Sequence, residues 1–208
     1  MNNNRWNGKS KEYDYNDRLV FKGEYINGKK TGLIKEYYDD TKKLIFEGEI
    51  INGEKKGNTR EFDKKGNLIF EGEKINGKRN GKGKEYMLIN DNKNILVFEG
   101  EYLNDIRWNG KGKEYDENKK IIFQGEYVNG DKNGLMKEFD YKGNLLYIGE
   151  CKKGDWNGKG KEFYPNGQIK YKGEFLDGEY NGKGIKYYKN GNIYHDGEFA
   201  KGKKVKKK

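Results

Sequence analysis

The chain has almost none of the side chains on which most enzyme chemistry depends. Its 208 residues include one cysteine, Cys151, one histidine, His195, and one serine, Ser10. Catalytic triads and transition-metal sites each need several such side chains, so we expect no enzyme activity, no metal and no cofactor. A single cysteine also excludes a disulfide within the chain, and this favours a reducing compartment.

Long apolar runs are missing as well. Hydrophobic residues make up 32% of the chain, and no run of them approaches the length of a membrane span. The first residues contain no apolar segment of the kind that a secretory signal requires. The sequence therefore predicts a cytoplasmic protein.

Proline is nearly absent, with Pro165 alone, whereas glycine occurs 31 times and aromatic residues make up 14% of the chain. The high charge of 38% is by itself typical of disorder. Disordered chains, however, are usually rich in proline and poor in aromatic residues. A chain rich in glycine and aromatics indicates many short strands joined by tight turns.

The glycines form a regular lattice. The dipeptide Gly-Glu recurs at intervals of 24 or 25 residues, with one interval of 28. Its eight occurrences begin at Gly23, Gly48, Gly72, Gly100, Gly125, Gly149, Gly173 and Gly197. Every glycine falls on one of five positions of the same repeat. The chain is therefore predicted to be an array of structural repeats.

Each repeat has the pattern of a β-hairpin. In one clear copy, residues 160–164 form a first strand and Ile169–Leu176 a second, with a turn at Asn166-Gly167, a strong hairpin signal. Asp177-Gly178 is predicted to open a loop to the next copy.

The second strand of each copy alternates between two kinds of residue. In the third copy, Phe70 and Gly72 share one face, and Glu71 and Glu73 share the other. Period-two alternation is typical of a half-buried strand. One hairpin is too small to bury its apolar face alone, so the copies must stack. The predicted fold class is all-β: an elongated, single twisted antiparallel sheet of stacked hairpins.

The predicted domain organisation is one repeat array over residues 1–200, followed by a lysine-rich tail over residues 201–208. A partial first copy precedes full copies that start near residues 21, 46, 70, 98, 123, 147, 171 and 195.

The runs FKGEYINGKKTG, EFYPNGQIKYKGEF and WNGKGKEY resemble MORN repeats, and most of all the variant form common in bacterial proteins. This resemblance covers nearly the whole chain. It implies an elongated sheet of hairpins. It also implies scaffold, assembly or partner-binding roles, sometimes at membranes or the cytoskeleton.

One position in the predicted loop between copies is the best candidate for a binding site. Trp6, Trp108 and Trp156 stand two residues before a repeat glycine, Tyr180 fills the same position, and Arg79 or lysine fills it elsewhere. Because burying an unpaired ammonium is costly, the position must be partly exposed. Exposed aromatics in a row suggest a contact surface, so these five residues are predicted to bind a partner protein. The alternative is that each ring folds over its own hairpin.

The charge pattern leaves a second partner open. The net charge is +10, and six lysines of the tail supply more than half of it. A protein partner, including a second copy of the chain in a homodimer, is the first reading. The alternative is peripheral association with acidic lipid through lysine-rich loops and the tail. Nucleic acid is disfavoured because 34 acidic residues are mixed among the bases.

The predicted elongation can be measured by small-angle X-ray scattering. A compact globule of this length would have a radius of gyration of about 17 Å. The hairpin array should give a clearly larger value, and a value near that of the globule would contradict it.

Overall fold

The computed structural model describes residues 7–38, 40–90 and 93–206, and within these ranges the chain forms seventeen strands and no helix. The strands belong to one open antiparallel sheet, which confirms the all-β fold of hairpin repeats. Their bounds are β1 Asn7–Tyr13, β2 Leu19–Ile26, β3 Lys29–Tyr37, β4 Leu44–Ile51, β5 Glu54–Phe62, β6 Leu68–Ile75, β7 Lys78–Asn90, β8 Lys93–Leu103, β9 Ile106–Tyr115, β10 Ile121–Val128, β11 Asp131–Phe139, β12 Leu145–Lys152, β13 Asp155–Phe163, β14 Ile169–Leu176, β15 Glu179–Tyr187, β16 Ile193–Ala200 and β17 Lys203–Lys204.

The chain divides into two compact units, the first ending at Arg107 and the second beginning at Trp108. In the first unit, β1 to β8 each pair with the next strand along the chain. In the second unit, β9 to β17 pair in the same way. Because neighbours in sequence are neighbours in space, each copy contacts only the copies beside it.

Two-residue turns end every second strand. At Asp177 and Gly178 both φ angles are positive, 49° and 80°, as in the type I′ turn of the shortest hairpins. Strand β15 begins at once, at Glu179, and pairs with β14. The predicted loop between copies is therefore wrong at this point. Asx and Gly residues tolerate the left-handed conformation, so the two strands reverse directly.

The alternate turns are longer, and the predicted turn at Asn166-Gly167 is one of them. The backbone N–H of Gly167 donates to the carbonyl of Tyr164 at 2.8 Å, and the N–H of Tyr164 donates to the carbonyl of Gln168. This connection closes the hairpin of β13 and β14.

An aspartate stabilises the equivalent turn between β11 and β12. The Asp140 carboxylate accepts hydrogen bonds from the side chain of Asn144 and from the backbone N–H groups of Lys142 and Asn144. These bonds favour the ionised form and lower the pKa of Asp140, with the Asn144 side chain as the largest cause.

Buried aromatic rings lie on one face of each unit, and we call this the ring face and the opposite one the outer face. In β2, Phe21 and Tyr25 are buried and Lys22 points to the outer face, as the alternation predicted. The ring row is the set of equivalent residues Phe21, Phe46, Phe70 and Phe98 in the first unit and Phe123, Tyr147 and Tyr171 in the second.

Paired glycines make room for these rings. Gly72 of β6 stands opposite Gly83 of β7. A β-carbon at Gly83 would lie 2.8 Å from Cε2 of Phe70, and one at Gly72 would lie 2.5 Å from the α-carbon of Gly83. The Phe70 ring therefore packs directly against two backbones, which explains the glycine pair of this copy. In other copies the second position holds Ile34, Thr59 or Met136, and only the glycine of the ring strand is kept.

Four described residues occupy aromatic positions without being phenylalanine or tyrosine, and one of them is the buried Ile50. Cys151 is buried, as predicted for ordinary packing, and its burial raises the pKa of the thiol. His195 is half-buried with its ring edge-on to Phe199 at 5.1 Å. Lys74 is buried at an aromatic position, where its Nζ lies 2.5 Å from Glu61 and 3.0 Å from the carbonyl of Gly77.

The predicted tail begins inside the last hairpin. Lys203 and Lys204 form β17 and pair with Ala200 and Phe199 of β16. The N–H of Val205 also donates to the carbonyl of Glu198 at 2.8 Å. Residues 201–205 therefore belong to the repeat array, because the turn at Lys201-Gly202 has the same positive φ angles as the other two-residue turns.

Replacing Phe70 by alanine should destabilise the protein by about 3–5 kcal/mol, because the ring is fully buried against Gly72 and Gly83. The matched variant Glu73→Ala removes an exposed side chain from the same strand and should cost well under about 1 kcal/mol. Denaturant melts of both variants provide the measurement. Equal losses would show that the two faces are assigned the wrong way round.

Candidate partner-binding surface

Each ring of the ring row is covered by a side chain nine residues further along, on the next strand. We call these side chains caps. They are Lys30, Lys55, Arg79 and Arg107 in the first unit, and Lys132, Trp156 and Tyr180 in the second. The pairing of each cap strand with its ring strand sets this contact, so it recurs once per repeat.

Cationic caps lie over the faces of phenylalanine rings. The Lys30 ammonium is 3.9 Å from the centroid of Phe21, and the Arg79 guanidinium carbon is 4.2 Å from that of Phe70. A cation in this position is attracted by the negative face of the ring. The aliphatic stem of each cap covers apolar surface at the same time.

Aromatic caps stack on tyrosine rings. Trp156 lies parallel to Tyr147, with a centroid distance of 4.5 Å and an interplanar angle of 7°. Tyr180 stacks on Tyr171 at 3.9 Å and 11°. A flat aromatic cap therefore fills the same position that lysine fills elsewhere.

A glutamate on the ring face accepts the polar end of every cap. It lies on the same strand as Lys30, and for the other caps it lies two strands away, on the far side of the ring strand. This glutamate row consists of Glu36 and Glu61, with Glu85, in the first unit and of Glu114, Glu138 and Glu162 in the second. Lys132 Nζ lies 2.7 Å from Glu114, and the indole N–H of Trp156 donates to Glu138 at 2.6 Å.

The same carboxylates raise the pKa of tyrosines on this face. Burial is the largest cause for Tyr180, and the hydrogen bond from its hydroxyl to Glu162 adds to it. Tyr102, which donates to Glu85 at 3.0 Å, is raised for the same two reasons. Both hydroxyls therefore remain protonated donors.

The structure places the predicted binding residues in strands and not in loops. Arg79, Trp156 and Tyr180 are caps in β7, β13 and β15, and all three are half-buried. The expectation of partial exposure is thus confirmed. The geometry also matches the alternative that each such ring folds over its own hairpin, because every polar cap atom finds its partner within the sheet. Trp6 lies outside the described residues.

Trp108 stands one residue beyond the cap of its repeat. Counting nine residues from Phe98 leads to Arg107, whose guanidinium lies 2.9 Å from Glu85. Trp108 is half-buried, and its carbonyl accepts the N–H of Gly130 at 2.9 Å. The sequence prediction counted backwards from Gly110 and missed Arg107, because one extra residue separates the two reference points.

A second regular feature was missed from the sequence. The last residue of each strand that carries a ring is an exposed aliphatic side chain in six copies. We call this set the hairpin-end row: Ile26, Ile51, Ile75 and Leu103 in the first unit, and Val128 and Leu176 in the second. An aliphatic residue directly before each two-residue turn was the available signal.

Neither a metal site nor a membrane-spanning helix is found. Among the residues that the structure describes, no group of three or more His, Cys, Asp or Glu side chains is arranged to hold a metal ion. In the same ranges, no helix is long and apolar enough to cross a membrane.

Sheet topology, ring row, caps and glutamate row together define a protein of stacked β-hairpin repeats. Comparison with known families adds the kind of repeat. Residues 108–129 and 156–177 match the MORN repeat variant, and residues 70–87 and 171–193 match the MORN repeat. The chain thus contains MORN-type repeats at these positions, and the resemblance drawn from its sequence is confirmed. A search of curated proteins found no match.

Replacing Trp156 by lysine should leave the protein folded and cost only about 1–2 kcal/mol, because Lys132 already fills this position with a cation over a ring and a glutamate partner. Trp156→Glu should cost more than about 3 kcal/mol, since its carboxylate would face Glu138. Thermal melts of the two variants provide the comparison. Similar losses in both would mean that stacking alone, and not the charge of the cap, decides stability here.

Proposed function

We propose that this repeat scaffold is non-catalytic and binds a partner protein through its hairpin-end row. Repeats of the MORN type act in protein–protein or membrane-associated roles and are generally non-catalytic. Within the first unit the row offers four aliphatic side chains, one on every second strand. Strands lie about 4.8 Å apart, so the four side chains recur at intervals of about 10 Å.

The exposure of this row is the observation that supports the proposal. Ile26 is 55% exposed, Ile75 48% and Leu103 39%. Single exposed aliphatic residues are common on any protein surface, but their recurrence at one position of successive repeats is a regular pattern of the kind that interaction surfaces use. The fold itself does not require these side chains, because Lys152 takes the same position in the sixth copy.

A repeated row of this kind is suited to multivalent binding. Each contact is weak alone, and several contacts on one sheet act together once the first has formed. The predicted contacts of Arg79, Trp108, Trp156 and Tyr180 with a partner remain a proposal beside this one. These residues lie half-buried in the ring face or next to it, whereas the hairpin-end row lies on the outer face.

The test is a capture experiment with extract from the cells that make the protein. Replacing Ile51, Ile75 and Leu103 together by serine should leave far-UV circular dichroism unchanged and reduce capture of partner proteins at least about tenfold. The matched control replaces Tyr13, Tyr15 and Leu33 by serine; these are apolar residues of the same unit outside the row and are more exposed than the three row residues. Its capture should equal that of the unmodified chain.

Two outcomes would contradict the proposal. In the first, the triple variant captures the same proteins as the unmodified chain, and the row is not the surface. In the second, the unmodified chain captures nothing but binds vesicles that contain phosphatidylserine, which would favour the acidic-lipid alternative. Capture of a second copy of this chain counts as partner binding, provided that it is lost in the triple variant.

A further inference from the structure

The outer face of the second unit carries a straight file of lysines. Cross-strand pairing aligns Lys113, Gln124, Lys137, Ile148, Lys161, Lys172, Ile185 and Asp196, one from each of strands β9 to β16. We call the four lysines Lys113, Lys137, Lys161 and Lys172 the lysine file. The only acidic member of the aligned set, Asp196, stands at its end.

The lysine file is not neutralised by its surroundings. Among the described residues, no carboxylate oxygen lies within 4.0 Å of any of the four ammonium groups. The glutamates nearest along the strands, Glu126, Glu150 and Glu174, lie against the backbones of Gly134, Gly158 and Gly182. Lys137, Lys161 and Lys172 are exposed, and Lys113 is half-buried.

Strands β3 to β8 of the first unit show that the fold does not need such a file, although Lys11 and Lys22 precede them at the same position in β1 and β2. The equivalent outer-face positions from β3 to β8 are Lys35, Glu47, Arg60, Glu71, Lys84 and Glu99, which alternate in charge. Lys35 lies 2.9 Å from Glu47 and Lys84 lies 3.4 Å from Glu99. The hydrogen bond and charge of Glu47 raise the pKa of Lys35. The same architecture is therefore compatible with a balanced file.

The file in the second unit retains a repulsive contact, as Lys11 and Lys22 do at the start of the first unit. Lys161 and Lys172 stand directly opposite each other on β13 and β14, and like charges at such positions destabilise a sheet. An arrangement that lowers stability, at positions where a balanced one is possible, indicates a binding role.

The geometry points to a ligand, and we propose that the lysine file binds an extended acidic peptide segment of a partner. Lys113, Lys137 and Lys161 are spaced by two strands each, about 9.6 Å. A polyproline II segment repeats every three residues, or about 9.3 Å, so an acidic residue at every third position meets successive lysines. Ile148, midway between Lys137 and Lys161, contacts an apolar residue between two acidic ones.

The width of the file distinguishes this ligand from a membrane. Glu126, Glu150 and Glu174 lie two residues from the file along their strands, where they alternate with Lys111, Lys159 and Lys183, so the uninterrupted run of lysines is one residue wide. A bilayer covers the whole face and brings its negative headgroups onto these glutamates. A single peptide strand lies along the lysines without meeting them. The lysine file shares no residue with the hairpin-end row, so each proposal is tested independently of the other.

The experiment measures binding of a synthetic peptide of three Glu-Pro-Leu triplets, labelled with a fluorophore, by anisotropy at low salt. The unmodified chain should bind this peptide. It should bind two control peptides less well: one in which the three glutamates are contiguous and one in which they are replaced by glutamine. The variant Lys137→Gln, Lys161→Gln, Lys172→Gln should lose at least about tenfold in affinity. It should melt no lower than the unmodified chain, because a repulsive pair is removed.

The matched control removes the same charge from the same face. Lys111, Lys159 and Lys183 are exposed and stand opposite Glu126, Glu174 and Glu198, so replacing them by glutamine should change peptide affinity less than about threefold. Equal losses in both triple variants would reduce the effect to net charge and overturn the proposal. The proposal is also overturned if the unmodified chain does not bind the peptide. A third contradicting result is tighter binding of phosphatidylserine vesicles or oligothymidylate that is lost in the same lysine-file variant.

Discussion

The fold depends on the contact between a buried ring and the two strands beneath it. A single-layer sheet has no second layer to cover its apolar face, so each ring must be buried by its own repeat. Phe70 packs against Gly72 and Gly83 from below and beneath the guanidinium of Arg79 from above. Each repeat thereby closes a small core of its own, and stacking the repeats joins these cores into a row.

The cap position shows how one site accepts chemically different residues. Lysine, arginine, tryptophan and tyrosine all present a broad or cationic surface to a ring and a hydrogen-bond donor to a carboxylate. The glutamate row supplies that carboxylate, so the donor is satisfied whichever residue carries it. Lys74 follows the same rule at a position that is otherwise aromatic, because Glu61 and the Gly77 carbonyl accept its ammonium.

The strand pattern was predictable from sequence because alternation and glycine spacing are local signals. Ile169–Leu176 was predicted with the bounds that the structure gives, and the ring face was identified at Phe21 and Phe70. The caps were placed in loops because the two-residue turn at Asp177-Gly178 was interpreted as a connection between copies. The ion pairs of the caps could not be predicted, since they depend on which residues pairing brings together across strands. The hairpin-end row was overlooked because exposure was not part of the pattern.

The glutamate row links neighbouring repeats as well as binding their caps. In the first unit Glu36 lies 3.6 Å from Lys30 and 3.1 Å from Lys55, and Glu85 lies within 4 Å of both Arg79 and Arg107. Each of these carboxylates therefore joins two successive caps by charge. In the second unit Trp156 and Tyr180 are joined to their rings by stacking. The contacts that join caps to their neighbours are therefore ionic in the first unit and dispersive in these two copies of the second. Rising ionic strength weakens the ionic contacts and leaves the stacked ones unchanged.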